Sequence, residues 1–329
     1  CALNPPLFKG TSDTEVLLSG FSRWGIENTL TKTNGMFAMA VWDREEKSLW
    51  LARDRLGEKP LYYGYAGNQF LFGSELKALR AHPAFDSTID KNALALYFRT
   101  ANIPAPYSIY HGIKKLPPAS FVKLRLPTNQ LGPVTEYWSR LDACLRGIRT
   151  PFQGDEHEAE QTLDSLLRNV IRMRMVTDVP LGAFLSGGVD SSTIVSLMQS
   201  VSSQPVKTFT MAFEEPEFNE APYALAVAKH LGTDHTETFV SARDALNVIP
   251  LLPSIYDEPF ADSSQIPTFL VSKIARQQVT VALSGDGGDE LFGGYNRHTW
   301  GKSAWRLAQL PGPVRKGIAS GLGVLSPAL

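Results

Sequence analysis

Residues 182–185 form a short apolar run, residues 186–188 read Ser-Gly-Gly, and residues 191–200 carry a helical pattern. A strand that passes through a glycine-rich turn straight into a helix is the unit from which parallel sheets are built. The stretch that follows repeats it. Residues 206–213 read as a strand, 221–231 as a helix, 236–240 as a strand and 279–283 as another. Such alternation predicts an α/β domain with a mainly parallel sheet. Just upstream, Leu163, Leu166, Leu167, Val170 and Ile171 fall at helical spacing and predict an amphipathic helix leading into it.

The first third follows a different rule. Short apolar runs at 35–41, 48–52, 61–65 and 69–72 are separated by turn residues such as Asp54, Gly57 and Pro60, and 91–98 looks helical. This pattern predicts a meander or layered sheet. Between the two patterns, residues 126–154 hold Pro127, Gly132, Pro133, Gly147, Pro151 and Gly154. We expect a domain at 1–140, a linker at 141–154 and a second domain at 155–329, and a length of 329 residues suits two domains.

Charge and composition exclude several classes of function. A net charge of −1 gives no electrostatic case for nucleic acid or an anionic membrane. No apolar run is long enough to span a bilayer. The two cysteines, Cys1 and Cys144, do not make a disulfide framework and suit a reducing, cytoplasmic setting. The chain opens on Cys rather than Met and closes on residues 325–329 without a terminal element, so both ends are expected to be truncations.

The loop Ser186-Gly187-Gly188-Val189-Asp190-Ser191-Ser192 joins a strand end to a helix start. A helix start offers unpaired amides and a positive dipole end. Two glycines let the backbone approach an anion closely. Asp190 would repel bare phosphate, but it makes sense as a ligand of Mg²⁺ that bridges to phosphate. The alternative is a tight turn with Asp190 as an ordinary helix-start residue. A second loop, residues 284–295, also follows a strand and gathers Asp286, Asp289 and Glu290 among five glycines. Carboxylates so close repel one another unless solvated or bound to a cation. They indicate a metal or substrate role, with a solvated turn as the alternative.

These strings carry a resemblance. Residues 186–191 resemble the pyrophosphate loop of ATP pyrophosphatases, the group of asparagine, argininosuccinate, GMP and NAD synthetases. Residues 284–295 are similar to a segment of asparagine synthetases and the related β-lactam synthetases. The resemblance implies that Ser186, Gly187, Gly188, Asp190 and Ser191 bind the pyrophosphate of ATP. It implies that Ser284 and Gly285 contact the adenosine part, that Asp286 is the acidic catalytic residue, and that Asp289 joins Asp190 on pyrophosphate and Mg²⁺. Phe184 and Met211 fall where the family contacts adenine and ribose, although both equally suit a plain core. Residues 257–264 match the family's amino-acid pocket segment, which makes Glu258 and Asp262 substrate-proximal. The alternative there is a polar loop capping the next helix.

Residues 35–43, 52–63 and 72–79 resemble the C-terminal half of a class II glutamine amidotransferase domain. Ser12-Asp13-Thr14-Glu15 matches its glutamine-binding element, which assigns Asp13 to glutamine, against an alternative as a helix-start residue. The family uses an N-terminal Cys as nucleophile. Here Ala2 follows Cys1, and the supporting half domain is absent, so Cys1 is read as a coincidence of truncation.

The resemblance implies an α/β chain overall. A partial N-terminal αββα (Ntn-type) glutaminase layer precedes a C-terminal α/β parallel-sheet ATP-pyrophosphatase domain that lacks a later phosphate-contacting Lys. The implied reaction turns ATP, aspartate, glutamine and water into AMP, diphosphate, asparagine and glutamate through β-aspartyl-AMP. Adenylation of another carboxylate, by an amidotransferase or a β-lactam synthetase-like enzyme, is the alternative. The expected cofactors are ATP and Mg²⁺, and the expected partners are small-molecule substrates with no nucleic acid or membrane. A homodimer is a candidate assembly.

Overall fold

The computed structural model describes residues 8–214 and 219–322. Contacts divide the chain into two compact units, one of Cys1–Gln153 with Pro250–Ser263 and one of Gly154–Ile249 with Ser264–Leu329.

Unit 1 begins with helix α1 (Asp13–Lys32), then β1 (Ala38–Asp43), β2 (Ser48–Arg53), β3 (Tyr62–Ala66) and β4 (Gln69–Gly73). Helices α2 (Leu76–Arg80) and α3 (Lys91–Thr100) follow, then β5 (Ile113–Lys115), β6 (Ser120–Arg125), β7 (Gln130–Leu131), β8 (Thr135–Glu136) and α4 (Arg140–Arg149). The strands make two antiparallel sheets, one in the order β1-β2-β6-β7 with β8 also on β6, and one in the order β4-β3-β5. Strand alternation sets the layers. On β2, Leu49 and Leu51 point to a core shared with Tyr63, Leu116 and Val122. Trp50 and Ala52 point the other way, to Leu30 of α1 and Phe121. On β3, Tyr63 faces that shared core while Tyr62 faces Leu76, Leu79 and Ala93 on α2 and α3. The result is helix, sheet, sheet, helix: the expected αββα layering.

Charged residues hold this layering at one turn. The Asp54 carboxylate is 1% exposed and accepts the amides of Phe37 (3.3 Å), Leu56 (3.2 Å), Glu58 (2.9 Å) and Lys59 (2.9 Å). Arg53 donates to the carbonyls of Gly57, Lys59 and Leu116 at 2.6–2.7 Å. Buried charges persist where hydrogen bonds are this complete.

The stretch expected as an irregular linker contains α4. Pro133 and Pro151 bracket a proline-free run, and the Ser139 hydroxyl accepts the Asp142 amide at 3.3 Å as an N-cap, so a helix forms between the breakers.

Unit 2 opens with α5 (Glu156–Arg174), started by a capping box between Asp155 and Glu158. Then come β9 (Leu181–Phe184), α6 (Val189–Val201), β10 (Lys207–Phe213), α7 (Ala221–Leu231), β11 (Asp234–Val240) and α8 (Ala242–Val248). The short α9 (Leu252–Ile255) lies in the stretch assigned to unit 1. Back in unit 2 follow α10 (Gln265–Ala275), β12 (Val281–Leu283), α11 (Gly288–Phe292), α12 (Asn296–Ala308) and α13 (Gly312–Leu322).

The four strands are parallel in the order β11-β10-β9-β12. One face carries Ile171 of α5, Val195 and Met198 of α6, and Ala224 and Ala228 of α7 against Ala183 and Leu185. The other carries Ala275 and Val279 against Phe209 and Phe184. Of the predicted α5 stripe, Ile171 and Leu167 reach the core, while Leu163 and Leu166 stay exposed. The chain runs from β9 outward to β10 and β11, then crosses to the far side of β9 as β12. The strand order therefore reverses between β9 and β12, where open α/β sheets bind ligands beyond the strand carboxyl ends.

Candidate functional site

Both loops singled out in the sequence leave the sheet at that reversal. The Leu185 amide donates to Phe209 O at 3.0 Å and closes the strand pairing, and the next residue is Ser186. Gly187 has φ +82°, and a Cβ there would fall 2.6 Å from Ala224 N and Tyr223 Cβ, so the start of α7 packs directly on the loop. Only glycine suits both demands.

The Ser191 hydroxyl organises the turn. It lies 2.9 Å from Ser186 Oγ, accepts the Ser186 amide at 3.2 Å and donates to Gly188 O at 3.3 Å. The Gly188 amide donates to Ser186 Oγ at 3.2 Å. These two serines thus hold each other and shape the loop. The amides of Val189, Asp190 and Ser191 lie in the first turn of α6, where helix geometry supplies no acceptor. They form the anion-facing end of the helix dipole.

The second loop lies against the first. A Cβ on Gly285 would fall 2.8 Å from Ser191 N and 2.9 Å from Asp190 Cβ, so the two backbones touch. A Cβ on Gly288 would fall 2.6 Å from both Cγ and Oδ2 of Asp190. The Asp190 carboxylate is therefore seated on Gly288, next to Asp289. The Asp289 carboxylate folds over Gly294, whose amide donates to Asp289 O at 3.1 Å. Asp286 Oδ2 accepts the Ser284 hydroxyl at 3.0 Å. Glu290 accepts the Tyr295 hydroxyl at 2.7 Å, which holds its carboxyl below the usual range and pushes the phenol up. Of the three clustered acids, Glu290 is thus turned to Tyr295, and Asp286 and Asp289 remain with Asp190 in the paired loops.

Ser186, Gly187, Gly188, Asp190, Ser191, Ser284, Gly285, Asp286 and Asp289 accordingly share one end of one sheet. Phe184 pairs in register with Phe209 and packs with Ala275 and Val279. Met211 lies two residues beyond Phe209 on the same side of β10. Both are half-buried beside the loops. Gly288, the seat of Asp190, was not among the expected residues. The Gly287-Gly288 pair was its only signal. Among the described residues, no group of three or more His, Cys, Asp or Glu side chains forms a metal cage.

The remaining candidates lie in unit 1. Asp13 is the exposed first residue of α1, whose cap is the Ser12 hydroxyl accepting the Thr14 amide at 3.2 Å. Glu15 accepts the amides of Lys9 (2.9 Å) and Gly10 (2.8 Å). Glu258 and Asp262 fall in Pro250–Ser263, which packs with unit 1, whereas both loops belong to unit 2. The Glu258 carboxylate is committed to the Ile109 amide (2.7 Å), the Tyr62 hydroxyl (3.5 Å) and an ion pair with Lys115. Cys1 lies outside the described residues, and Cys144 is exposed on α4.

Comparison with known proteins adds to this geometry. A family model described as "Asparagine synthase" matches residues 162–324, and one described as "Glutamine amidotransferase domain" matches residues 3–138. Asparagine synthetase [glutamine-hydrolyzing] 1 of Bacillus subtilis is 35% identical over 94% of this chain and 47% of its own length. A Methanocaldococcus jannaschii protein, named provisionally as a second such synthetase, is 38% identical over 91% of this chain and 57% of its own. Asparagine synthetase B of Escherichia coli is 29% identical over 88% of this chain and 48% of its own. The chain spans about half the length of the curated relatives it matches.

Proposed function

Because the chain belongs to the family of glutamine-hydrolysing asparagine synthetases, we propose that it serves glutamine-dependent asparagine synthesis. ATP, L-aspartate, L-glutamine and water become AMP, diphosphate, L-asparagine and L-glutamate. The observation that carries this reading is the contact of two phosphate-type loops at the sheet's reversal, with Asp190 seated on Gly288.

A carboxylate is a poor electrophile, and adenylation gives it a good leaving group. In this reading the aspartate β-carboxylate attacks the α-phosphorus of ATP at the Ser186 loop. The first-turn amides of α6 meet the charge that builds on the departing pyrophosphate. Asp190 and Asp289 fit Mg²⁺, which usually takes one or two carboxylates plus substrate phosphates rather than a full protein cage. When bound, it would supply charge neutralisation on pyrophosphate. Phe184 and Met211 would give the base an apolar wall. Asp286, oriented by Ser284, is assigned to take a proton as ammonia adds to β-aspartyl-AMP. Unit 1 would release that ammonia from glutamine, with Asp13 on the substrate's α-amino group. None of the described helices is long and apolar enough to cross a membrane.

The test is magnesium- and aspartate-dependent exchange of labelled pyrophosphate into ATP, using the protein at full length. Exchange with aspartate is expected, and Asp190→Ala should lower it by about 10²-fold or more. Near wild-type exchange in that variant would remove Asp190 from the mechanism. Exchange only with another carboxylic acid would keep the mechanism and replace the substrate.

A further inference from the structure

Pro250–Ser263 is flanked on both sides by unit 2 sequence, yet it packs as part of unit 1. Its attachment there is made of specific polar bonds. Asp257 accepts the amides of Leu76 (2.6 Å) and Lys77 (3.2 Å) at the start of α2. The Lys77 ammonium reaches back to the carbonyls of Ser254 (3.3 Å) and Ile255 (3.1 Å). Glu258 holds the Ile109 amide, the Tyr62 hydroxyl and Lys115, and the Ala261 amide donates to Ala101 O at 2.7 Å. The side chains of Glu258 and Asp257 are only 9% and 13% exposed. Burial, then the charges of Glu258 and Asp257, push the Tyr62 phenol well up, so it stays a donor to Glu258.

Carboxylates buried this far are costly, and an apolar filler would hold a permanent contact at least as well. What charged, hydrogen-bonded groups can add over an apolar filler is a single register. Both ends of the segment lead into unit 2. At its return, Ser264 begins α10, whose Val271, Ile274 and Ala275 pack on Phe209 and Phe184. Phe184 ends the strand that becomes the Ser186 loop.

We propose that Asp257 and Glu258 are positioning residues, not substrate contacts. They fasten Pro250–Ser263 as a strap in the amidotransferase unit, so that nitrogen release there and nitrogen use in unit 2 are tied through the chain itself. The coupling half of this proposal rests on the function proposed above. The fastening half does not.

Lys115→Met, which removes the cation facing Glu258, tests both halves, with Asp257→Asn as a milder second variant. The first readout is amide hydrogen exchange of the full-length protein. Residues 255–261 should exchange roughly tenfold faster, while the β2 and β9 amides keep their rates. The second readout is glutamate released per asparagine formed. It should rise well above the wild-type ratio, with ammonia-driven synthesis close to wild type. Unchanged protection of the strap in both variants overturns the fastening. Faster exchange with an unchanged ratio, or an equal loss with glutamine and ammonia, overturns the coupling. A wild-type protein that makes no product from either nitrogen source sinks the proposed function and the coupling with it, and the exchange measurement still decides the fastening.

Discussion

Replacing Gly187 by Ala asks whether the Ser186 loop is pinned by its neighbours or merely glycine-rich. Two costs add at this position. With φ at +82°, a side chain incurs roughly 1–2 kcal/mol of left-handed strain. The new Cβ would also stand 2.6 Å from Ala224 N and 2.7 Å from Tyr223 C, which are backbone atoms that no rotamer change can move. Overpacking of this kind costs about 1–3 kcal/mol more. Gly232→Ala separates the two terms. Gly232 has φ +70° at the end of α7, and a Cβ there meets nothing within 4 Å. It should lose only the strain, about 1–2 kcal/mol. Gly187→Ala should lose about 2–5 kcal/mol, or roughly a 30-fold to several-thousand-fold rise in the opening constant of unit 2. The assay is amide exchange at Leu185, whose N–H bonds Phe209 O across the core strands. Equal destabilisation by the two variants would mean that the loop yields freely to α7 and is not pre-shaped by it.

Two further outcomes are expected. Asp13→Ala should weaken glutamine use while free ammonia still supports synthesis, and an equal loss with both nitrogen sources would reduce Asp13 to a helix-start residue. Tyr137→Phe should cost about 1 kcal/mol at neutral pH, since the hydroxyl donates to Arg53 O at 2.8 Å. Burial, then the nearby Asp54 charge, push the Tyr137 phenol from 10.0 up to about 12. As pH rises between those values the unfolded chain loses its proton first, so folding weakens with pH. Alkaline denaturation of the variant should therefore have a shallower slope over that range, and an identical slope would argue against the shift.

Local signals and long-range ones were unequally legible in the sequence. Strand β2 was readable as a short apolar run at 48–52 closed by the turn residues Asp54, Gly57 and Pro60, and α7 as the helical pattern at 221–231. The Ser186 and Ser284 loops were readable because glycine and carboxylate at a strand end are a chemical signal independent of packing. Helix α4 was hidden by the prolines and glycines around it. Other features depended on partners far along the chain. Nothing near Asp257 foretells the Leu76 amide 181 residues away, and nothing near Glu258 foretells Ile109 at a separation of 149. A polar stretch before a helix reads the same whether its carboxylates face substrate or cap another element. The mutual grip of Ser186 and Ser191 was unreadable for the same reason, since a hydroxyl's partner is set by the turn and not by its type.

The strap also bears on how this chain can be taken apart. A single cut after Gln153 severs the chain where the two units first part, yet the N-terminal piece would lack Pro250–Ser263. It would keep Lys115, the Ile109 amide and the first amides of α2 with their acceptors removed, while the other piece carried two stranded acids on a loose fourteen-residue tether. A separable unit 1 would need residues 250–263 supplied as a peptide or grafted on through a short linker. A ribosome making the whole chain meets the same order of events: unit 1 is spelled out first, but its last packing element emerges only after three strands of the parallel sheet.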